Sequence, residues 1–256
     1  MLFIFVSCDD IGKDYKWRGE NPAGFTRHFG TKGYDYGWSG DNSPIDGGFI
    51  ISGTQSKEIH GETNLWAIKT DQDGLLEWER TFGGNENEDG YDVTHTKDGG
   101  FLFLGHTWSF GNGQQMYAIK TDNFGNLEWE KTYGGSMWEV GNSVIQTKSG
   151  DYILAGYSNS PGISSGNTDL YLVKIDLQGN QIWQKAHGNR QFPNHEQAQD
   201  IIELQDEGFL VVGFRDRYSQ GGQNGLIARF DKDGDLLWEK EIADESNRNE
   251  IIYSIS

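Results

Sequence analysis

The chain has 256 residues, 36 of them glycine and only 4 proline, with 13% aromatic residues and one cysteine, which suits a large domain of short strands and many turns. Its formal charge of −18 argues against a nucleic-acid backbone or an anionic membrane surface as partner. No apolar run reaches the roughly 18 residues of a spanning helix, and a lone cysteine excludes an intramolecular disulfide.

The chain opens with MLFIFVSC, an apolar run ending in Cys8. The run resembles the tail of a bacterial lipoprotein signal peptide. Phe5, Val6 and Ser7 stand where the lipobox would be, and Cys8 would be the acylated first residue of the mature protein. It lacks a basic n-region and is shorter than an ordinary h-region, so residues 1–8 read as a partial signal peptide, with a buried apolar N-terminus as the alternative. Asp9 and Asp10 resemble the acidic export signal of Bacteroidota surface lipoproteins, although in enterobacteria an Asp there implies retention at the inner membrane. The resemblance implies an extracytoplasmic protein of the outer membrane or cell surface, touching a membrane only through a lipid anchor. Residues 9–24 have no periodicity and collect Asp, Gly, Asn and Pro, as a tether does.

From Phe25 onward the chain repeats itself. A D-x-x-G-x-x-x-W pattern occurs at Asp71, Gly74 and Trp78, then at Asp122, Gly125 and Trp129, at Asp176, Gly179 and Trp183, and at Asp231, Gly234 and Trp238. Alternating runs flank each copy, so each reads as a hairpin. The Asp accepts hydrogen bonds from turn amides, the Gly supplies a positive φ, and the Trp packs against a neighbouring sheet. Each unit adds a first strand (YDVTHT, NSVIQT, QDIIEL) and a Gly-led second strand (GGFIISG, GGFLFLG, GDYILAG, EGFLVVG). A period near 50 with this content predicts an all-β fold, a β-propeller of four-stranded antiparallel blades. The units are about 34–82, 90–133, 141–186 and 198–242. Residues 25–30 match a fourth strand and 250–256 a first strand. Four full blades plus two partial strands predict an open arc or a fragment of a larger propeller, with a five-bladed ring holding one degenerate blade as the alternative.

The run K-T-D-x-x-G-x-x-x-W-x-[KR]-T-[FY]-G-G, at Lys69–Gly84 and Lys120–Gly135, resembles the repeat of secreted and lipoprotein β-propellers of Bacteroidota. These are similar in shape to quinoprotein dehydrogenase-like propellers, whose blades carry an Asp, a Gly and a docking Trp in this order. The quinoprotein enzymes themselves use a calcium-bound quinone and often an adjacent cysteine pair. This chain has no such pair, so no cofactor is expected. Kelch repeats differ, because their Gly pair ends the second strand, whereas here Gly47-Gly48 and Gly99-Gly100 precede it.

Turns between first and second strands, and between third and fourth, are short and uniform. Second-to-third connections and the crossings between units are long and variable, and in a meander both emerge on one face. Variable loops on a rigid scaffold are where binding is usually placed. Trp108 and Trp138, outside the repeat, with Phe192 and Tyr218, are the candidate ligand contacts there, for stacking on sugar rings or for capping the blades. Glu88, Glu139, Glu196 and Glu250 each stand five residues before a first-strand Val or Ile. They would hold either a hard cation at the mouth of the axis or a fixed hydrogen bond to the adjoining blade.

The six histidines show no metal-ligand spacing and no serine sits in a nucleophile elbow, so no catalytic residue is named and binding is favoured over catalysis. The expectation is a binding or interaction scaffold for a glycan or protein ligand. The alternatives are a carbohydrate-active hydrolase or lyase, or a structural surface module without a small ligand.

Overall fold

A computed structural model of the chain describes residues 26–56, 58, 61–164, 167–188, 194–217, 222–243 and 249–256. Cys8, the tether, Phe192 and Tyr218 lie outside the described residues. Four blades follow one another: β1 (Asp35–Asn42), β2 (Phe49–Ser56), β3 (Thr63–Thr70) and β4 (Leu76–Phe82); β5 (Glu88–His95), β6 (Phe101–Thr107), β7 (Gln115–Thr121) and β8 (Leu127–Tyr133); β9 (Glu139–Gln146), β10 (Tyr152–Ser158), β11 (Asp169–Ile175) and β12 (Gln181–His187); β13 (Asn194–Glu203), β14 (Phe209–Arg217), β15 (Gln223–Phe230) and β16 (Leu236–Ile242). Each set of four is one antiparallel sheet in chain order, and no hydrogen bond joins the last sheet to the first among the described residues. The molecule is a β-propeller of four blades in an open arrangement.

The second and third strands read as nearly continuous apolar runs because blades pack on both of their faces. One cluster, including Leu65, Ala67, Trp78, Phe101, Phe103 and Tyr117, joins the first two blades. The next, with Leu102, Leu104, Met116, Tyr152 and Leu154, joins the second and third. A third, with Ile153, Leu172, Phe209, Val211 and Leu226, joins the third and fourth.

The D-x-x-G turns are built alike. Asp71 Oδ1 accepts from the amides of Asp73 (2.9 Å) and Leu75 (2.8 Å), the Gly74 amide donates to Asp71 O, and Gly74 has φ +72°. In three of the four copies the turn is also the receptor of the preceding blade. The Trp78 indole donates to Asn123 O (3.0 Å) and that of Trp129 to Leu177 O (3.1 Å). A Cβ added to Gly125, Gly179 or Gly234 would lie 3.0 Å or less from the ring of Trp78, Trp129 or Trp183 respectively. The basic residue two positions after the Trp reaches the same turn: Arg80 donates to Phe124 O, and Lys131 to Asn180 Oδ1 (2.9 Å). Trp238, which no such turn covers among the described residues, is 48% exposed.

The lysine of the K-T-D run has a role that its alternation does not reveal. Lys69 is buried, and its Nζ donates to Thr70 O, Asp46 Oδ2 (2.7 Å) and Glu77 Oε2 (2.8 Å); Lys120 does the same with Thr121 O, Asp98 and Glu128. The cation ties together the two turns at one end of its blade.

The first strands start earlier than their alternation suggests, at Glu88, Glu139 and Asn194 rather than near 91, 142 and 199. The cause is a β-bulge in each. Register slips between Gly37 and Ser39, Gly90 and Asp92, Gly141 and Ser143, and Ala198 and Asp200. Residues before the slip are therefore out of phase with those after it, and period-2 reading stops there.

Residues 250–256 take the place of one more first strand. Glu250 N donates to Gln223 O as Glu139 N does to Gln114 O, and Ile255 N donates to Asp200 Oδ2 (2.9 Å) as Val144 N does to Asp92 Oδ2 (2.8 Å). At the other end Phe29 packs against Ile51, Trp66 and Ile68, the place Phe82 takes beside Phe103 one blade on.

Candidate functional site: the loop face and the mouth of the axis

The long connections share one face and are laced together there. Trp108 N donates to Asn87 O and Asn159 N to Trp138 O, each linking a second-to-third connection to the crossing before its blade. Glu139 N to Gln114 O and Glu196 N to Thr168 O link each connection to the crossing after it. On this scaffold Trp108 is 43% and Trp138 51% exposed. Trp108 stands on the second blade and Trp138 on the crossing into the third.

The carboxylates at the head of the first strands are taken up by hydrogen bonds and ion pairs within the fold. Glu88, Glu139 and Glu196 are fully buried, and each bonds to the second strand of its own blade, Glu139 also to Gln115 of the blade before. Glu88 accepts from Thr107 Oγ1 (2.6 Å) and the Gly84 amide (2.9 Å), and Glu139 from Ser158 Oγ (2.7 Å), the Gly135 amide (2.9 Å) and Gln115 Nε2 (3.1 Å). Glu196 pairs with Arg215 Nε at 2.7 Å. Asp35 takes the same place in the first blade and accepts from the Thr31 amide. Such regular use fits a carboxylate that closes each crossing loop. Among the described residues, no three His, Cys, Asp or Glu are grouped as a metal ion would need.

Nearer the axis, two layers of side chains follow from the bulge. The residue just after it bonds blade to blade. Ser39 Oγ donates to Asp92 Oδ1 (2.6 Å) and Ser143 Oγ to Asp200 Oδ1 (2.8 Å), while the second oxygens of Asp92 and Asp200 take the amides of Val144 and Ile255. Desolvation raises the Asp92 carboxyl to about 6, aided by the charge of Asp200 and opposed by the Ser39 and amide hydrogen bonds.

The bulge residue itself, which has no register partner, is Trp38, Tyr91, Asn142 or Gln199. Tyr253, three residues beyond Glu250, takes the same place in the partial strand, as Asn142 does beyond Glu139. Trp38 is 54% exposed and Tyr253 68%. The Trp38 ring meets Tyr91 edge-on at 5.5 Å and stacks on Tyr36 at 5.9 Å, and its indole donates to Thr54 Oγ1 (3.0 Å). Behind Tyr91 lies His106, buried, its Nε2 3.5 Å from Asp89 and its Nδ1 without a hydrogen-bond partner; burial lowers its proton affinity against the pull of Asp89 and Glu88. A cleft of about 550 Å³ runs along β1 past Tyr36, Trp38, Asp41 and Asn42, within the range of roughly 300–1,000 Å³ for small-ligand sites. Sequence reading passed over Trp38 because the bulge hides it inside a strand. The available signal was an aromatic three residues after the acid that heads the strand.

No family model matches the chain, and no curated protein matches it. Among solved structures, a protein of unknown function from Bacteroides caccae is similar over 85% of this chain and 70% of its own, at 12% identity and a TM-score of 0.50. A candidate exo-β-1,3-galactanase from Bifidobacterium bifidum s17 is similar over 84% of this chain and 70% of its own, at 15% identity and a TM-score of 0.44. A candidate gluconolactonase is similar over 81% of this chain and 64% of its own, at 13% identity and a TM-score of 0.40. The sheets and the first of these likenesses define the class, a β-propeller. At such identities the likeness shows the fold alone.

Proposed function

We propose that the protein is an extracytoplasmic binding scaffold, lipid-anchored through Cys8, that takes a glycan or protein ligand on its long-loop face. One observation carries the reading: the long variable connections are gathered on one face of a rigid propeller, and Trp108 and Trp138 stand exposed on it although the repeat does not require them. The turns of the opposite face are spent on packing, since their carbonyls take the Trp of the preceding blade and Lys69 ties the turns of its own blade together. A glycan array probed with the protein, and with the Trp108→Ala, Trp138→Ala double variant, tests the reading. Binding that weakens in the variant, with an unchanged circular dichroism spectrum, supports it; unchanged binding removes these two residues from the site. Mass spectrometry of the mature N-terminus tests the anchor, and an unmodified Cys8 thiol refutes it.

A further inference from the structure

We infer that the mouth of the axis is a second binding site, for a neutral carbohydrate, formed by the bulge residues of successive first strands. It rests on the reading of the protein as a binding scaffold but uses none of the loop tryptophans. The argument begins from a contrast between neighbouring positions. The residue after each bulge is Ser39, Asp92, Ser143, Asp200 or Ser254, and four of these five are hydrogen-bonded between blades. Packing dictates that position, and it holds only a hydroxyl or an acid. The bulge position next to it holds Trp38, Tyr91, Asn142, Gln199 and Tyr253, three aromatic rings and two amides. Packing uses part of this set, since Asn142 Nδ2 donates to Ala198 O of the next blade (2.7 Å) and Tyr91 packs on His106, but Trp38 and Tyr253 stand exposed, and bulges commonly serve to aim a side chain out of the ladder.

Chemistry then narrows the ligand. Aromatic rings present flat apolar faces and amides present both a donor and an acceptor, which together suit the C–H face and the hydroxyls of a pyranose. No Lys or Arg stands at the bulge positions, Asp41 and Asp89 flank them, and the chain carries a net charge of −18. An anionic sugar or a nucleotide would be repelled there. Trp38 is fixed before any ligand arrives by its bond to Thr54 and its contacts with Tyr91 and Tyr36, so little ordering entropy remains to oppose binding. The cleft along β1 gives room for a sugar beside Trp38 and offers the Asn42 amide at its far end.

The experiment is titration of the intact protein with neutral hexasaccharides (β-1,3-glucan, β-1,4-glucan, β-1,4-mannan and β-1,4-xylan), followed by calorimetry and tryptophan fluorescence. We expect at least one to bind and to perturb the emission. Trp38→Ala should weaken that binding about tenfold or more, and Tyr253→Ala, at a site 68% exposed, should weaken it without changing the melting temperature. The Trp108→Ala, Trp138→Ala double variant is titrated in parallel, to separate a loop site from the axial one. Binding lost only in that double variant places the glycan on the loops and overturns the axial site while keeping the scaffold reading. If none of the hexasaccharides binds at millimolar concentration, the axial site is refuted, and the scaffold reading then stands or falls on the array. Should Trp38→Ala fail to fold, Tyr253→Ala alone decides, and unchanged affinity in it overturns the inference.

Discussion

Trp78 and Trp238 occupy the same place in the same motif, and they differ in whether a D-x-x-G turn covers the ring among the described residues. Trp78 is 9% exposed, donates to Asn123 O at 3.0 Å, packs beside Phe101 and lies on Gly125. Replacing it by Ala removes a buried aromatic, opens a cavity between two sheets and leaves a carbonyl without its donor. Large-to-small changes of this kind cost about 3–5 kcal/mol. Trp238 is 48% exposed, so its truncation should cost about 1 kcal/mol or less. Urea unfolding of the two variants, with midpoint and slope fitted together, measures both. In a repeat protein stability is close to a sum of unit and interface terms, so Trp78→Ala should also broaden the transition as the first blade loosens from the second. A Trp238→Ala variant as destabilised as Trp78→Ala would refute the claim that the tryptophan acts through the next blade.

Other predictions come from single contacts. Asp92 has a folded-state pKa of about 6 against 3.8 unfolded, so ionising it opposes folding. That penalty is absent below about pH 4, grows between pH 4 and 6, and above that reaches at most about 3 kcal/mol. Asp92→Asn should therefore raise stability at pH 7 to 8 and not at pH 4, in thermal melts across that range; equal destabilisation at both ends would refute it. Glu239 is held down to about 2, first by its hydrogen bond to His187 and then by Arg215. Glu239→Gln should lose stability at neutral pH and approach the parent as pH falls from about 4.5 towards 2. Lys120→Met, which leaves Thr121 O and two half-exposed acids without their cation, should cost about 1–3 kcal/mol in urea. That is less than for a fully buried pair, because both acids can hydrate. Gly125→Ala meets both a φ of +76° and the Trp78 ring at 2.9 Å and should cost roughly 2–3 kcal/mol by the same assay.

The architecture was legible because the strands carry their own punctuation. The D-x-x-G-x-x-x-W pattern names a turn, a positive φ and a docking ring together, and all three occur as read at Asp71, Gly74 and Trp78. Lys69 was not legible, because alternation assigns a side chain to a face and cannot say that the face is closed by Asp46 and Glu77. Glu88, Glu139 and Glu196 were legible as a recurring set but not in direction, since spacing along a strand does not tell an inward carboxylate from one aimed at the axis. Trp38 was missed for a related reason. A bulge shifts the pairing by one residue, and only the paired strand reveals the shift.

Within one chain, comparison between repeats separates structure from function at single positions. Where a hydrogen bond within the scaffold fixes a residue, the repeat holds its chemistry: Asp71, Asp122, Asp176 and Asp231 in the turns, and Glu88, Glu139 and Glu196 at the strand heads. The same rule makes Trp183 a packing residue although it is only partly buried, because it covers Gly234. It makes Trp108 and Trp138 free choices, since Asn159 and Asn87 fill the corresponding places in the same backbone bonds without any ring. Residues that change chemistry at a constant backbone position are the ones the scaffold does not need. On a propeller whose inner and outer strands are both committed to neighbouring blades, such residues remain at two levels, the loop tips and the bulges. A ligand long enough to reach from Trp108 to the axis would touch both, and the separate variants at Trp38 and at Trp108 with Trp138 would then each weaken it.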